Sequence, residues 1–592
     1  MMINIPPALI LIFGSLLIPF LRGRLRSVYI VGLPLLTFFY VISLSEGISW
    51  VFKVLDLELV LKRVDRLSLP FGYIFSLISV IAAIYSLHVK DNLHLVSAFI
   101  YAGAALGVVF AGDLATLYVF WEIMALASTL VILTARNKKA ISAGMRYLLV
   151  HLAGGLLLLG GMVLWFKQTG SLKFEYIGLN YQDLASWLIF LGFGINAAFP
   201  ILHAWLPDAY PESTETGTVF LSAFTTKTAV YVLARGFYGT ELLIYIGALM
   251  TAFPIFYAVI ENNLRRVLSY SLINQVGFMI TGIGIGTQLS LNGTVAHAFC
   301  HILYKALLFM SMGAVLYRTG KINATDLGGL YKYMPLTTIF CIVGAASISG
   351  VPLTSGFVSK SMIVSAAGEG GMLFIWLTLL FASAGVFHHS GIKIPFFAFF
   401  SHDSGLKPKE APTHMLVAMG IAAFLCVAIG IFPGTLYGIL PYPVDYNPYT
   451  PAHVIDQTQL LAFSALAFTL LMLSGLYPPE IRCVNLDTDW FYRKATAGFL
   501  FLAEKVIAKI DYQIIGEAYE KIFVRGMLAL ARLSKKFDTS GVDKSYHNLA
   551  KGSLKLSEII KVIQTGKVSD YAFLMIIGLI TLLLILVLPM LS

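Results

Sequence analysis

Charge and cysteine are scarce in this sequence, and the common nucleotide-binding motifs do not occur in it. Charged residues make up 12% of the 592 residues, whereas soluble domains carry about 25%. The four cysteines are scattered and form no CxxC pair, so the chain alone predicts no iron–sulfur cluster, zinc site or disulfide framework. There is no P-loop, and the glycine run at 282–286 lies inside an apolar segment with no strand before it. We therefore expect no cofactor or metal, no catalytic redox residues and no nucleic-acid partner for this chain.

Long apolar segments fill most of the chain, which is 58% hydrophobic. Runs of about 20 apolar residues cross a bilayer as helices. An alternating stretch from Trp50 to Val60 predicts a β-hairpin outside the membrane. We predict an all-α polytopic membrane protein with about sixteen spans, at 6–21, 27–46, 67–88, 93–112, 114–134, 143–166, 186–206, 216–236, 241–260, 268–287, 291–317, 335–366, 372–398, 413–433, 457–477 and 570–591.

The distribution of Lys and Arg predicts the orientation. If the loop at 22–26 is cytoplasmic, the alternation of spans puts about twice as many basic residues in the short inner loops as in the outer loops. An excess of basic residues marks the cytoplasmic side. We predict a multi-pass protein of a prokaryotic inner (plasma) membrane, with both termini on the extracytoplasmic side.

Three titratable residues share one stripe of the span at 291–317. His297, His301 and Lys305 recur at i, i+4 and i+8, so they fall within an arc of about 80° and rise about 12 Å along one helix face. Ionisable groups in hydrocarbon are costly and by default indicate a functional pathway. The alternative is that these side chains only tie helices together by hydrogen bonds.

Further ionisable residues occur in neighbouring spans. They are Glu122, Lys227 and Lys360, and in the thirteenth span His388 and Lys393. Buried lysines that alternate with histidines can pass protons as neighbouring charges change. We predict a proton relay, with His388 and Lys393 as a candidate exit. Alternatively, Lys393 is a structural salt-bridge partner or reaches the interface.

Two spans contain interruptions. Pro200 lies in the span at 186–206, and the span at 335–366 contains Ser349-Gly350-Val351-Pro352-Leu353. Broken backbone in a membrane occurs where protein or a water-filled cavity satisfies it. Each broken span is the fourth in a run of five, which favours two inverted five-helix repeats around an ion pathway. The alternative is two unrelated kinks.

The region from Pro478 to Lys567 is basic and amphipathic, with predicted helices at 490–536 and 541–566 and a break around Thr539-Ser540-Gly541. Such helices lie along a membrane surface or along partner helices; a small soluble bundle is the alternative. The predicted organisation is N-terminal helices with the hairpin at 1–90, five-helix repeats at 91–240 and 241–400, additional spans at 401–480, a lateral amphipathic helix at 481–567 and a final span at 568–592.

Several motifs between residues 90 and 400 form a specific set. They are FWE at 120–122, PILHAWLPDA at 200–209, VLSYS at 267–271, the HxxxHxxxK run at 297–305 and Ser359-Lys360. As a set they closely resemble the antiporter-like subunits of respiratory complex I, energy-converting membrane hydrogenases and Mrp-type cation/proton antiporters. The resemblance implies proton-pathway helices in two inverted five-helix units.

The resemblance also implies residue roles. Glu122 would be the carboxylate of the fifth helix and Lys227 the connecting lysine of the eighth. His297, His301 and Lys305 would form the central relay, with Lys360 as the terminal lysine. The segments at 487–492 and 564–568 resemble the long complex I subunit, which carries a lateral helix and a sixteenth span.

One position departs from the family pattern. Family members usually carry a lysine nine residues before the tryptophan of the WLP motif, where it partners the fifth-helix glutamate; here that position is Asn196. Asparagine cannot carry the proton. Either Lys227 takes over the pairing with Glu122, or the first half-channel is altered or silent.

The expected function is proton translocation, alone or in exchange for Na⁺, by one member of a multi-subunit membrane complex. Its partners would be other integral membrane subunits, contacted partly by the lateral helix, and the bilayer. It would have no redox site of its own, although it could serve an NADH:quinone oxidoreductase-like translocase. The alternatives are an energiser of a non-redox uptake system, such as one for inorganic carbon, and a largely structural scaffold that clamps other subunits.

Overall fold

The computed structural model describes residues 4–54, 57–483, 485–561 and 566–587. It divides into two units, one ending at Trp490 and one starting at Phe491, whereas the sequence analysis starts the lateral region at residue 481. Within the described residues, twelve helices are long and apolar enough to cross a membrane, and four shorter helices are also apolar. The protein is therefore an all-α, multi-pass membrane protein, as predicted.

The first half of the large unit contains the hairpin and the first broken helix. Strands β1 (Gly47–Val54) and β2 (Leu57–Val64) pair antiparallel, which confirms the predicted hairpin and extends it at both ends. The helices are α1 (Pro7–Ser15), α2 (Gly23–Ile42), α3 (Ser68–Tyr85), α4 (Asn92–Phe110), α5 (Leu114–Leu133), α6 (Lys138–Thr169), α7 (Leu184–Asn196), α8 (Trp205–Ala209), α9 (Gly217–Ala223) and α10 (Thr225–Gly236).

The second half of this unit contains the longest buried helix and the second broken helix. The helices are α11 (Glu241–Ile260), α12 (Leu264–Ile285), α13 (Gln288–Thr319), α14 (Pro335–Ser349), α15 (Ser355–Glu369), α16 (Leu373–Val386), α17 (Lys393–Pro395), α18 (Thr413–Ile431), α19 (Gly434–Tyr437) and α20 (Pro451–Leu473). Two π-helical segments, Phe387–Ile392 and Phe396–Phe400, flank α17.

Every second loop between helices lies at the same end of this unit, and loops at one end are joined by hydrogen bonds. We call the end with the loops at 86–91, 134–137, 207–216, 261–263 and 320–334 the basic face, and the opposite end the hairpin face. The pairs bonded at the basic face include Arg26–Val89, Asp91–Arg136, Arg265–Pro211 and Asn262–Thr325. Those at the hairpin face include Leu114–Leu172, Gly239–Ile283 and Asn292–Tyr442. The helices therefore alternate in direction, as the predicted spans require.

Both predicted interruptions are present. Between α7 and α8 the backbone turns at Ala198 and Ile201, whose φ angles are 61° and 73°. Between α14 and α15, Gly350 has a φ of 74° and Leu353 a φ of 67°. The proline in each segment removes an amide donor, so helix hydrogen bonding cannot continue through it.

A third interruption was not predicted. Phe224 separates α9 from α10 with φ −103° and ψ −66°, inside what the sequence indicated as one span. No proline or glycine marks it, so the sequence carries no local signal for this break.

The unit from Phe491 onward is a helical run followed by an apolar helix. Its helices are α21 (Asp489–Phe501), α22 (Ala508–Ile510), α23 (Arg525–Phe537), α24 (Asp543–Ile560) and α25 (Val568–Val587). The predicted break at Thr539-Ser540-Gly541 is wrong, because a π-helical turn at Asp538–Val542 carries the helix through it. None of the side chains described in this unit is buried, so the alternative of a small soluble bundle with its own core is also wrong.

Candidate functional site

The histidine–lysine stripe lies in the centre of α13 and is buried. His297, His301 and Lys305 are each 0% exposed. His297 Nε2 lies 3.1 Å from Gln275 Oε1 on α12, and its Nδ1 lies 3.2 Å from Ser359 Oγ on α15. One imidazole thus links three helices.

The rest of the stripe has few partners. Neither the ring nitrogens of His301 nor the ammonium of Lys305 have a hydrogen-bond partner among the described residues. The Tyr304 hydroxyl donates to Gln275 Oε1 at 3.1 Å, and the Tyr304 ring lies 5.3 Å from that of His301. Buried polar groups are nearly always satisfied, so unsatisfied ones require a functional explanation.

Lys227 follows the unpredicted break. It is 0% exposed and donates to Ser222 O at 2.6 Å and to Thr226 Oγ1 at 3.1 Å. The break at Phe224 frees the carbonyl of Ser222 from helix hydrogen bonding. Lys227 therefore binds the carbonyl end of α9.

Lys360 repeats this arrangement on α15. Its Nζ donates to Ser383 Oγ on α16 at 2.7 Å and lies 3.4 Å from Ser349 O, at the end of α14. Carbonyl ends of helices carry partial negative charge and stabilise a cation there. Both lysines are thus held by the end of a broken helix rather than by a carboxylate, and within the described residues neither forms an ion pair.

In the first predicted five-helix repeat, Asn196 and Glu122 differ from these lysines in their partners. Asn196 is fully buried and neither atom of its amide has a partner among the described residues. Glu122 is half-buried, and no ion pair joins it to Lys227 or any other described cation. Of the two alternatives above, a direct pairing of Lys227 with Glu122 is therefore not present among the described residues. The physical reason is that the ammonium turns to the freed carbonyl of Ser222.

The candidate exit lies in a π-helical segment. Pro395 lacks the amide that an α-helix would direct to residue 391, and the backbone widens at Phe387–Ile392. His388 stacks on Tyr477, with ring centroids 5.6 Å apart. π-helical turns inside α-helices are frequent at functional sites.

The ammonium of Lys393 has three oxygen partners at the basic face. Its Nζ donates to Val259 O at 2.6 Å and Glu261 O at 2.8 Å, and lies 2.7 Å from Glu480 Oε1. This is the salt-bridge alternative that the sequence left open. Sequence reasoning missed Glu480 because this residue lies outside every recognised motif; the nearest one begins at Asp487. A role of Lys393 in an exit stays a prediction.

An acid–histidine contact lies at the first break. His203 Nε2 lies 3.1 Å from Asp487 Oδ1, and the Tyr270 hydroxyl donates to Asp487 Oδ2 at 2.8 Å. Burial would raise the pKa of Asp487, but the hydrogen bond and charge of His203 outweigh it and lower this pKa below its ordinary value. The segment after α20 therefore contacts the first break through Asp487 and α17 through Glu480.

These features define a class of protein, namely multi-pass membrane proteins in which buried lysines lie at helix breaks and a stripe of buried histidines and a lysine lies on the helix between them. Residues 111–386, which contain every relay residue from Glu122 to Lys360, match the family described as NADH:quinone oxidoreductase/Mrp antiporter, TM. The chain is an antiporter-like membrane subunit of the complex I and Mrp antiporter family. The resemblance inferred from the motifs is thereby confirmed.

Curated relatives include an Na(+)/H(+) antiporter subunit of Alkalihalophilus pseudofirmus, which is 29% identical over 486 residues. That match covers 71% of this chain but only 60% of the relative. The chloroplastic NAD(P)H-quinone oxidoreductase subunit 5 of Mesostigma viride is 27% identical over 82% of this chain and 78% of its own length.

Two solved structures share the fold. An archaeal membrane-bound sulfane sulfur reductase complex contains a chain with a TM-score of 0.68 and 24% identity, matched over 98% of this chain and 99% of that one. The Mrp complex from Dietzia sp. DQ12-45-1b contains one with a TM-score of 0.63 and 20% identity, matched over 77% of this chain and 95% of that one.

Proposed function

We propose that this chain is a proton-translocating member of a multi-subunit membrane complex, moving protons alone or in exchange for Na⁺. The observation that carries the proposal is the row of buried amines and imidazoles that have no carboxylate partner. Lys227, His301, Lys305 and Lys360 are fully or almost fully buried, and none of them forms an ion pair within the described residues. Uncompensated buried cations are too costly to be kept for stability alone.

The relay works by charge repulsion between neighbouring sites. A proton that arrives on Lys227 disfavours a second positive charge on Lys305, because two charges interact strongly in a medium of low dielectric constant. The proton on the stripe then moves to His297, whose Nδ1 meets Ser359, the residue before Lys360. The oxygen ligands at each break stabilise the ammonium once it is charged.

The helix breaks at Pro200 and Gly350, with the row of buried amines and imidazoles between them, support an arrangement of two inverted five-helix units that share one proton pathway. Other integral membrane subunits of the complex would receive the proton or drive its movement, and the amphipathic run at 490–560 would contact them. The similarity to subunits of both antiporters and quinone oxidoreductases supports an ion-translocating role.

The test is proton transport by the complete reconstituted complex. We expect Lys305→Ala and Lys360→Ala to lower the rate at least tenfold while the complex still assembles, because each removes a proton carrier from the row. Lys62→Ala is the matched control, because Lys62 is 4% exposed but lies in β2, outside the row. Wild-type pumping by both relay variants would refute the relay.

A further inference from the structure

One face of α6 carries a buried histidine that the relay above does not use. Tyr147, His151 and Gly155 recur at i, i+4 and i+8 on this face. His151 is 1% exposed. Its Nδ1 lies 2.9 Å from Tyr147 O and its Nε2 has no partner among the described residues. Since the carbonyl can only accept, Nδ1 carries the hydrogen and Nε2 presents a lone pair that is free to bind a proton.

The residues one turn before and one turn after His151 on this face lie near Lys227 and near Glu122, respectively. A Cβ added at Gly155 would collide with Glu122 Oε1, so the carboxyl lies against bare backbone one turn from the imidazole. On the other side, the ring of Tyr147 stacks on His151 at 3.9 Å. The Tyr147 hydroxyl lies 3.4 Å from Thr225 Oγ1, two residues before Lys227.

His151 also lies beside the position of the missing lysine. Its ring is 4.5 Å from that of Trp205, and Trp205 Nε1 donates to Ile195 O at 3.0 Å. Ile195 precedes Asn196, whose amide is buried without a partner among the described residues. Trp205 therefore contacts both the His151 imidazole and the backbone of the residue directly before Asn196.

We propose that His151 is the proton carrier of the first unit, replacing the lysine that relatives have at the position of Asn196, and that it passes protons between Glu122 and Lys227. This inference rests on the proposed function. The proton leaves the Glu122 carboxyl and binds Nε2, which gives an imidazolium. The Nε2–H bond then breaks, Nδ1 keeps its hydrogen on Tyr147 O, and His151 returns to the neutral form. The Tyr147 and Thr225 hydroxyls each take one proton and release another, and the neutral amine of Lys227 binds the last one, so that only O–H and N–H bonds form or break.

A second buried histidine supplies the matched control. His94 is also 1% exposed, but both of its nitrogens are occupied, with Nδ1 2.8 Å from Thr134 Oγ1 and Nε2 2.9 Å from Thr216 Oγ1. Two satisfied nitrogens are what a structural histidine requires. The two residues differ in partners, not in burial.

The experiment measures proton uptake into vesicles that contain the complete complex, with a pH-sensitive dye. We expect His151→Gln to retain no more than a tenth of the wild-type rate and His94→Gln to retain more than half. The double variant His151→Gln/Asn196→Lys should recover at least a third, because it restores a proton carrier beside Trp205. Purified yield and subunit content report assembly.

Three results would overturn the inference: a wild-type rate in His151→Gln, equal losses in His151→Gln and His94→Gln, or no recovery in the double variant. If His151→Gln does not assemble, Tyr147→Phe replaces it, with an expected rate below half of wild type; a full rate there would also overturn it. Lys305→Ala separates the two hypotheses. If transport stops in Lys305→Ala but continues in His151→Gln, only the role of His151 is refuted. If the unmodified complex does not transport protons, the proposed function itself is refuted.

Discussion

At the scale of the residue, the lysines of this protein differ mainly in what neutralises them. Lys227 and Lys360 bind carbonyls freed by helix breaks, Lys305 has no partner among the described residues, and Lys393 has two carbonyls and Glu480. A lysine paired with a carboxylate holds its proton, whereas one held by dipoles alone loses it more readily. This difference separates the proposed relay from the structural ion pair at the basic face.

Asp65 provides a residue-scale test of an ion pair outside the spans. Both of its oxygens accept from Arg235 at 2.8 Å, and Arg63 lies 3.5 Å away. Burial would raise the pKa of Asp65, but the charge and hydrogen bonds of Arg235 outweigh it and the pKa lies below its ordinary value. The folded state therefore binds the proton less well than the unfolded state. The resulting stability is present above the unfolded pKa and is lost as the pH falls through the folded pKa.

We expect Asp65→Asn to lower the free energy of unfolding by about 2 kcal/mol at pH 7, because it leaves Arg235 unpaired. The difference from wild type should shrink as the pH falls below about 4, because the Asp65 carboxylate of the unfolded state then binds a proton, and that of the folded state follows at its lower pKa. Thermal unfolding in detergent at both pH values measures this. Glu46→Gln is the control, since Glu46 pairs with Arg66 in an exposed position and should change stability little. An undiminished difference at low pH would contradict the prediction.

At the scale of the element, α11 and α12 pack closely against each other through glycines. A Cβ at Gly277 would lie 2.6 Å from Thr251 N and 2.8 Å from Gly247 O. These neighbours are backbone atoms, which cannot rotate away as a side chain would. The glycines at this crossing thus set how closely α12, which carries Gln275 beneath His297, approaches the rest of the unit.

Gly277→Ala should force the two helices apart. We expect a loss of about 1–3 kcal/mol in the free energy of unfolding, together with a lower transport rate, because Gln275 shifts relative to the stripe. Gly32→Ala on α2 is the control, since nothing lies within 4 Å of its added Cβ. Unchanged thermal unfolding in Gly277→Ala would show that the crossing is looser than the structure indicates.

At the scale of the whole molecule, the chain combines a bundle that contains the relay with a helical run that has no core of its own. In α23, the apolar residues Leu530, Leu533 and Phe537 share one face by spacing and are exposed, while Arg532 and Lys536 lie between them in sequence. An exposed apolar face of this kind requires a covering surface. Its cover by other subunits is part of the proposed function.

Leu530→Ser/Leu533→Ser should therefore weaken assembly of the complex. Burial of each leucine is worth about 1.5–3 kcal/mol, so we expect a loss of the complex on native gels while the isolated chain still inserts in the membrane. Lys535→Gln/Lys536→Gln is the control, because it changes the basic residues of the same helix. Intact complex with both apolar residues replaced would exclude this face as the contact.

Much of the architecture could be predicted from the sequence, because membrane spans depend on local composition. The spans, the hairpin and the breaks at Pro200 and Gly350 carry local signals of hydropathy, alternation and proline. The break at Phe224 carries none, and neither does the continuous helix through 539–541, where a local Thr-Ser-Gly signal indicated the opposite. At Phe224, packing of the surrounding helices outweighs weak local preference. At 539–541 no side chain is buried, and the helix instead continues from the helical residues on both sides, because adding a residue to an existing helix is easier than starting a new one.

The sequence by itself determined which residues are costly in a membrane, since His297, His301, Lys305 and Lys360 need only their apolar flanks to be recognised. Only the tertiary structure decided what each of them meets. Lys227 binds Ser222 instead of Glu122, and Lys393 meets Glu480 from a distant segment. On α6, Glu122 lies against Gly155 and Thr225 near Tyr147, one turn to either side of His151. The physical reason is that an ionisable residue inside a long apolar segment is costly in a membrane, and this can be read from its neighbours in sequence. Hydrogen bonds and ion pairs depend instead on atoms that only folding brings within about 3 Å.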